Sequence, residues 1–219
     1  MQNKIDKTQI ESIKQPDWIL DYLSDGSPIF QSKNLYMFTS DSINLAKSVE
    51  EKNIQLMVDL CSGSGVVGLE VCGQREVDKL YLVEYQKELA DMSKASATLT
   101  KSKTNIVVIN DYIQNTFSFV DEGSVDVVVC NPPYFKKGSG KLSDHQSKNL
   151  ARHELKLTLC DVVEVASKLL KKGGSFYLIH LSSREEEIEK LCQQKNLTLQ
   201  KKVVYPAKLS RTIFKFLKQ

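Results

Sequence analysis

VDLCSGSGVVGLEVC, residues 58–72, joins an apolar run to a helical pattern through a glycine-rich turn. Its glycines, Gly63, Gly65 and Gly68, have the Gly-x-Gly-x-x-Gly spacing that binds nucleotide-like ligands when a strand precedes it and a helix follows it. Glycine lets the backbone approach a ligand closely, and the N-terminus of the helix attracts anionic groups. The stretch therefore predicts a ligand-binding unit of strand, turn and helix.

Apolar runs of strand length alternate with helical patterns over the rest of the chain. The predicted strands are Leu56–Cys61, Leu80–Glu84, Ile106–Asn110, Val125–Cys130, Ser175–Leu181, Thr198–Tyr205 and Thr212–Leu217. The last two lie about six residues apart, which is typical of an antiparallel pair. The pattern predicts an α/β, Rossmann-like fold, with a seven-stranded, mostly parallel sheet, helices on both faces and an antiparallel last strand.

Two of the predicted helices carry end signals. A long amphipathic helix containing Leu159 and Val162 is predicted to end at Gly173–Gly174, because glycine commonly terminates helices. Ser183 and Glu186 have the spacing of a capping box, in which two side chains bond to the first backbone N–H groups of a helix. They predict the start of the next helix.

The chain length of 219 residues suits one α/β domain. Residues 41–219 contain all the predicted strands and are expected to form this domain. Residues 1–40 are expected to be a short N-terminal extension that packs on it. Residues 136–150, KKGSGKLSDHQSKNL, are a polar loop, and a loop of this length is usually functional or disordered.

The composition is that of a globular protein, with 41% hydrophobic residues and a net charge of +3. The N-terminal segment has no apolar stretch typical of a secretory signal, and no run reaches the roughly 18 apolar residues of a membrane span. Five cysteines and three histidines show no metal-ligand spacing. We therefore expect a cytoplasmic protein with no membrane partner and no metal.

Polar residues lie in or just after four successive predicted strands: Asp59, Glu84, Asp111 and Asn131. The carboxyl ends of parallel strands share one edge of a sheet, so all four side chains are expected to face one crevice. Glu84 can accept hydrogen bonds from both hydroxyls of a ribose, and Asp111, with Tyr112 beside it, can accept one from an adenine amino group. These features fit NAD as well as S-adenosylmethionine.

The tetrapeptide Asn131-Pro132-Pro133-Tyr134 follows the fourth strand and restricts the chemistry. The exocyclic amine of adenine is a poor nucleophile because its lone pair is delocalised into the ring. The Asn131 amide oxygen and the Pro132 carbonyl can bind its hydrogens and stabilise the charge that develops as the nitrogen attacks a methyl group. Tyr134 offers a ring face on which an extruded base can stack. A dehydrogenase would leave this tetrapeptide without a role.

These motifs resemble those of class I methyltransferases that methylate amino groups, whose tetrapeptide is (D/N)PP(Y/F/W). More narrowly, the chain is similar to the bacterial tRNA1(Val) (adenine-37 N6)-methyltransferase family over residues 30–219. The stretches that carry this likeness are FTSDSINLAK (38–47), ARHE (151–154), LTLCDVVEVASKLLKKGG (157–174), FYLIHLSSR (176–184) and VVYPAK near the C-terminus.

The resemblance implies the class I methyltransferase fold, with S-adenosylmethionine as the cofactor. Asp59 and the first two glycines are expected to hold its methionine end, Glu84 its ribose, and Asp111 with Tyr112 its adenine. The full set of expected cofactor-binding residues is Asp59, Cys61, Gly63, Gly65, Glu84, Tyr85, Asp111, Tyr112 and Asn131. The expected catalytic residues, which hold the target base, are Asn131, Pro132 and Tyr134.

The resemblance also makes tRNA the expected partner, with adenosine 37 of tRNA1(Val) as the target for N6-methylation. The basic residues expected to contact the RNA follow the tetrapeptide: Lys136, Lys137, Lys141, Lys148 and Arg152. A second candidate cluster near the C-terminus contains Lys201, Lys202, Lys208 and Arg211.

Two other substrates and one other class of protein stay open. A protein-glutamine methyltransferase applies the same Asn-Pro-Pro-Tyr chemistry to N5 of a side-chain amide, although such enzymes usually carry a helical N-terminal domain that forty residues would not supply. An adenine in ribosomal RNA is the other substrate. A non-catalytic RNA-binding module would retain only a decayed cofactor pocket, whereas every motif residue is intact here.

Overall fold

The computed structural model of the protein describes residues 7–135, 157–206 and 209–219. The described helices are α1 (Lys7–Ile13), α2 (Ser40–Ser48), α3 (Val66–Gln74), α4 (Lys87–Thr98), α5 (Leu159–Leu169) and α6 (Glu185–Gln194). The described strands are β1 (Trp18–Tyr22), β2 (Pro28–Ser32), β3 (Asn53–Leu60), β4 (Glu76–Val83), β5 (Asn105–Ile109), β6 (Val125–Cys130), β7 (Leu170–Leu181), β8 (Leu197–Tyr205) and β9 (Arg211–Lys218). No helix in these ranges is long and apolar enough to cross a membrane.

Seven strands form one sheet in the order β5-β4-β3-β6-β7-β9-β8. β9 runs antiparallel to its neighbours β7 and β8, and the other pairs in the sheet are parallel. The predicted seven-stranded sheet with an antiparallel last strand is therefore confirmed. The chain winds outward from β3 to β5 and then crosses to β6, so β3 and β6 are neighbours where the strand order reverses. Open α/β sheets bind ligands outside the carboxyl ends of the strands at such a point.

Helices cover both faces of the sheet, as predicted. Successive residues of β3 point to opposite sides: Met57 packs with the side chains of α2 and α3, and Val58 with those of α5 and α6. Val127, Val128 and Val129 of β6 have no exposed surface. Because burying one such side chain stabilises a fold by about 1.5–3 kcal/mol, these central strands fix the position of the loops that follow them.

The N-terminal strands β1 and β2 form a separate antiparallel hairpin. The ring centroids of Trp18 and Phe30 lie 5.2 Å apart, and both rings pack against α4. The backbone N–H of Phe30 also donates to Ser96 Oγ at 2.9 Å. The hairpin thus rests on the sheet through α4. The division into an extension, residues 1–40, and a main domain, residues 41–219, stays a prediction.

The predicted end of one helix is wrong. α5 ends at Leu169, and Gly173–Gly174 lie within β7. Leu170 already pairs with Val125 of β6, so strand pairing begins before the glycines are reached. A Cβ atom on Gly174 would lie 2.9 Å from the Val125 carbonyl oxygen, and the glycine there allows two strands to approach closely.

The predicted start of the following helix is also wrong. Ser183 lies in a short 3-10 turn, Ser182–Arg184, and α6 begins after it with no side-chain capping bond. A capping box forms instead at the start of α5. There the side chain of Thr158 accepts from the backbone N–H of Asp161, and the Asp161 carboxylate accepts from that of Thr158.

Gly68 packs the first turn of α3 against β4. A Cβ atom on Gly68 would lie 2.6 Å from Leu82 Cδ2 and 3.0 Å from Leu80 Cδ2, and both leucines are fully buried. We expect Gly68→Val to destabilise the protein by about 1–3 kcal/mol, because the core side chains must shift. Leu82→Ala alone should cost about 2–5 kcal/mol through the cavity that it leaves.

The double variant Gly68→Val/Leu82→Ala tests whether this contact is direct. Valine at position 68 can occupy space that Leu82 vacates, so the two changes together should cost less than the sum of the single changes. Urea unfolding of the four proteins measures these free energies. Additive costs would show that Gly68 does not pack on Leu82.

Candidate active site

The glycine-rich turn between β3 and α3 has left-handed backbone at three positions. Cys61, Gly63 and Gly65 have φ angles of 60°, 57° and 88°. The backbone N–H of Ser62 donates to the Val83 carbonyl at 3.0 Å and ties the turn to the end of β4. A Cβ atom on Gly63 would meet no atom within 4 Å, so this side of the turn faces open space. The turn therefore presents bare backbone to a ligand.

Glu84 follows β4 directly and is 6% exposed. Its Oε2 accepts from the backbone N–H of Gly63 and its Oε1 from that of Gln86, both at 2.8 Å. Burial raises the pKa of the Glu84 carboxyl, and these backbone donors oppose the shift. A carboxylate has about four acceptor positions, so Glu84 retains some for the hydroxyls of a ligand.

Asp59 lies near the end of β3, where it was predicted, and binds the start of α3. Its Oδ2 accepts from the backbone N–H of Gly68 at 2.9 Å, and the residue is not among those that line the pocket described below. Burial raises the pKa of Asp59 to about 8; the Gly68 N–H opposes this shift and the Glu84 carboxylate adds to it. Asp59 thus holds the first turn of α3 in place and does not itself form the wall of the site.

Tyr85 and Tyr112 form an aromatic pair at the edge of the pocket, with ring centroids 4.4 Å apart. Asp111 was predicted to face the same crevice, but it is not among the residues that line the pocket. Its Oδ1 accepts from the backbone N–H of Tyr112 and from Asn115 Nδ2, both at 2.7 Å, and so stabilises the 3-10 turn that starts there. Gln114 of the same turn lines the pocket instead.

Asn131 follows β6 directly and lies beside the glycine-rich turn, because Leu60 of β3 pairs with Cys130 of β6. Asn131 Nδ2 donates to Ser42 Oγ at 3.1 Å, and Asn131 Oδ1 accepts from the Tyr134 hydroxyl at 2.7 Å. A carbonyl oxygen has two lone pairs, so one of those on Oδ1 stays available to a ligand.

Tyr134 does not offer the open ring face that was predicted. It is 9% exposed and is absent from the pocket wall, and the same wall includes Pro133 but not Pro132. The Arg211 guanidinium lies over the Tyr134 ring, 4.5 Å from its centroid, and the His180 ring lies 5.2 Å away. Burial and then the Asp41 carboxylate raise the pKa of the Tyr134 phenol, so the hydroxyl keeps its proton and acts as a donor.

These elements surround a pocket of about 900 Å³, part of it open to solvent. The predicted residues on its wall are Cys61, Gly63, Glu84, Tyr85, Tyr112 and Asn131. Gly65 is behind the wall, at the N-terminus of α3, where a Cβ atom would lie 2.7 Å from Ser93 Oγ.

Sequence reasoning missed the contribution of the segment before β3. Tyr36, Phe38 and Ser42 all line the pocket. The sequence shows Tyr36 and Phe38 as part of an aromatic patch, and residues 38–47 contribute to the family resemblance. No spacing rule connects them with a glycine-rich turn some twenty residues later, so their place in the site follows only from the folded chain.

The residues predicted to bind RNA, Lys136, Lys137, Lys141, Lys148 and Arg152, lie outside the described residues, as does Lys208. The described members of the C-terminal cluster are paired with acids: Lys201 with Glu50 at 2.7 Å, Lys202 with Glu185 and Glu189, and Arg211 with Asp41 at 3.2 Å. These pairs neutralise much of the positive charge expected there. Within the described ranges, no group of three His, Cys, Asp or Glu side chains could hold a metal ion.

The fold is that of class I methyltransferases. A solved tRNA m1G37 methyltransferase from M. jannaschii superposes with a TM-score of 0.65 at 15% sequence identity, covering 94% of this chain and 58% of that one. Residues 38–202, about three quarters of the chain, match the methyltransferase small domain. The chain therefore belongs to the methyltransferase small domain family.

Two curated relatives show modest similarity. A tRNA1(Val) (adenine(37)-N6)-methyltransferase from Cytophaga hutchinsonii is 28% identical over 123 residues, which cover 56% of this chain and 50% of that protein. A release factor glutamine methyltransferase from Bifidobacterium longum is 28% identical over 139 residues, which cover 57% of this chain and 47% of that protein. The chain thus spans about half the length of these relatives.

S-adenosylmethionine is the cofactor of this class, and the expectation of this cofactor is confirmed at the level of the family. The described residues fit it. The backbone at Gly63 is open, Glu84 retains acceptor positions, and both line the same pocket as the aromatic pair of Tyr85 and Tyr112.

The buried Asp59 gives a testable dependence of stability on pH. Its pKa is about 8 in the folded protein against an ordinary value of 3.8. The folded state therefore favours the protonated acid, so the contribution of Asp59 to the free energy of unfolding is largest below pH 3.8 and is lost as the pH rises to about 8. Asp59→Asn, which cannot ionise, should lose this dependence.

The melting temperature of Asp59→Asn relative to the original protein should thus rise between pH 5 and pH 8.5. An increase of at least about 2–4 °C is expected, which corresponds to about 1 kcal/mol in a domain of this size. The exposed Asp78 supplies the matched control, Asp78→Asn, which should show no such trend. If the melting temperatures of Asp59→Asn and the original protein differ by the same amount at both pH values, Asp59 is ionised in the folded protein over this whole pH range.

Proposed function

We propose that this protein is an S-adenosylmethionine-dependent methyltransferase that methylates N6 of an adenine in tRNA, with adenosine 37 of tRNA1(Val) as the target. The observation that supports this most is the shared pocket of Gly63, Glu84 and Asn131. The first two residues suit a nucleoside cofactor, and the third begins a tetrapeptide suited to an amino group. The name of the Cytophaga hutchinsonii relative supports the choice of an adenine in tRNA.

The cofactor would lie between the glycine-rich turn and the aromatic pair. Glu84 would accept from the ribose hydroxyls through the carboxylate positions that Gly63 and Gln86 leave available. The backbone at Gly63 and the side chain of Cys61 would lie against the methionine end. Tyr85, Tyr112 and Gln114 would surround the adenine. Asp59 would act indirectly, by holding the first turn of α3.

Asn131 and Pro132 would bind the target amine. S-adenosylmethionine supplies a methyl group bonded to a positively charged sulfur. The Asn131 amide oxygen and the Pro132 carbonyl would accept from the two N–H groups of the amine and direct its nitrogen lone pair towards that methyl. Positive charge would develop on the nitrogen as its bond to the methyl carbon forms and the carbon–sulfur bond breaks, with S-adenosylhomocysteine as the leaving group, and preorganised acceptors stabilise this charge. One amine proton would then pass to solvent.

The base would enter at the end of the pocket formed by Phe38, Ser42 and Pro133. Phe38 supplies an aromatic side chain there, whereas Tyr134 is covered by Arg211. The tRNA backbone would contact Lys136, Lys137, Lys141, Lys148 and Arg152, which follow the tetrapeptide in the chain. Neutralising phosphates with such side chains makes binding weaken steeply with salt. Acting on tRNA would place the enzyme in the cytoplasm.

A glutamine side chain of a protein is the second candidate substrate. The Bifidobacterium longum relative bears that activity in its name and is as similar to this chain as the tRNA enzyme is. A glutamine amide, like adenine, has an NH2 group whose lone pair is delocalised, so the acceptors at Asn131 and Pro132 would suit it equally. The identity of the methylated product separates these two candidates.

Mass spectrometry after incubation with labelled cofactor identifies that product. Given unmodified tRNA, ribosomal RNA and a peptide release factor as separate substrates, the enzyme should form N6-methyladenosine in the tRNA. Asn131→Ala should lower kcat by about 10²–10³ because one preorganised acceptor is lost. Asn53→Ala, at an exposed position on β3, should leave the rate unchanged. Methylglutamine in the release factor with unmodified tRNA would refute the proposed substrate.

A further inference from the structure

The side-chain amide of Asn131 is held at both of its ends. Its nitrogen donates to Ser42 Oγ at 3.1 Å, and its oxygen accepts from the Tyr134 hydroxyl at 2.7 Å. The single proton of the Tyr134 hydroxyl is shared with Asp41 Oδ2, a second acceptor that lies 3.1 Å away. Two consecutive residues of α2 therefore hold Asn131, one directly and one through Tyr134.

The first turn of α2 is itself fixed. The Thr39 side chain caps the helix by accepting from the backbone N–H of Asp41 at 3.3 Å. Arg211 of β9 donates from Nε to Asp41 Oδ2 at 3.2 Å, and its guanidinium covers the Tyr134 ring. The side chains of Asp41 and Arg211 are 20% and 16% exposed, so this ion pair is better shielded from water than a surface pair.

The orientation of the Asn131 amide matters for the chemistry. The last torsion of an asparagine side chain is broad and nearly two-fold, so a free amide can present either its oxygen or its NH2 group to the pocket. Only the oxygen can accept from a target amine, and an inverted amide would place donor against donor. The hydrogen bond that Asn131 Nδ2 donates to Ser42 Oγ and the one that Asn131 Oδ1 accepts from Tyr134 together favour one of the two orientations.

We propose that Asp41, Ser42 and Arg211, acting with the Tyr134 hydroxyl, form an amide clamp that sets the orientation of Asn131 for methyl transfer. The proposal rests on the proposed function and extends it to residues outside the tetrapeptide. Asp41, Ser42 and Arg211 are positioning residues. They belong to α2 and β9, so two elements that are far apart in the chain meet beside Tyr134.

The clamp predicts a particular kinetic effect. Ser42→Ala, Asp41→Asn and Tyr134→Phe should each lower kcat by about tenfold or more, since small losses of alignment can cost up to about 10² in rate. The KM for tRNA and the Kd for S-adenosylmethionine should change less than twofold, because the hydrogen bonds removed are made to Asn131 or to Tyr134 and not to either ligand. A rise in KM at constant kcat would contradict the clamp.

A double variant tests whether Asp41 acts through Tyr134. In Asp41→Asn/Tyr134→Phe the hydroxyl that Asp41 contacts is already absent, so the decrease in kcat should be close to that of Tyr134→Phe alone. If the decreases in kcat of the two single variants multiply in the double variant, Asp41 does not act through Tyr134. Asp78→Asn and Ser12→Ala, both at exposed positions away from the pocket, serve as matched controls and should retain full kcat.

A measurement that does not depend on turnover tests the clamp independently of the proposed substrate. The side-chain NH2 signals of Asn131 can be assigned in a ¹H–¹⁵N spectrum by their loss in Asn131→Ala. They should move in Ser42→Ala and in Tyr134→Phe, and stay in place in the two controls. Unchanged signals in both clamp variants would overturn the clamp. Signals that move in an enzyme inactive on tRNA would support the clamp and refute the proposed substrate.

Discussion

The pairing of β3 with β6 is the constraint on which the site depends. These strands are parallel neighbours at the point where the strand order reverses, and Leu60 lies opposite Cys130 in their register. The glycine-rich turn and the Asn-Pro-Pro-Tyr tetrapeptide therefore leave the sheet side by side, although some seventy residues separate them in the chain. A register shift of one residue would turn the alternating β3 and β6 side chains to the wrong faces, so core packing and site geometry are fixed together.

The carboxyl groups near this edge give the pocket its electrostatic character. Burial raises the pKa of both Asp59 and Glu84, and each is held by backbone N–H groups of the turn or of the following helix. Two acids share a poorly solvated site, an arrangement that costs free energy in the absence of a compensating charge. The proposed cofactor carries a positive sulfonium, which would favour the ionised form of Glu84, the acid that lines the pocket. Both acids also hold the glycine-rich turn and the first turn of α3 in place.

Sequence reasoning recovered the sheet because its strands are apolar on both faces, and it brought Glu84 and Asn131 to one pocket because parallel strands share one edge. Sequence reasoning did not predict which neighbouring groups three of the polar or aromatic side chains contact. Asp111 bonds to its own turn, Tyr134 packs beneath Arg211, and Asp59 binds a helix N–H. It also missed Phe38 and Ser42, because the segment that includes the start of α2 reaches the pocket through tertiary packing, which no local pattern encodes. The end of α5 was misplaced because strand pairing outweighed a glycine signal.

The central claim is that one pocket holds the cofactor and the target amine on opposite sides of a single transferred methyl. A bisubstrate analogue, in which adenosine N6 is linked to the sulfur position of an S-adenosylmethionine analogue, tests this directly by calorimetry. It should bind more tightly than S-adenosylhomocysteine. Asn131→Ala should abolish the higher affinity for the bisubstrate analogue and leave the affinity for S-adenosylhomocysteine unchanged. Glu84→Ala should lower the affinity for both ligands, and Glu76→Ala, at an exposed position, is the control. Equal affinity of the original protein for the two ligands would contradict the account.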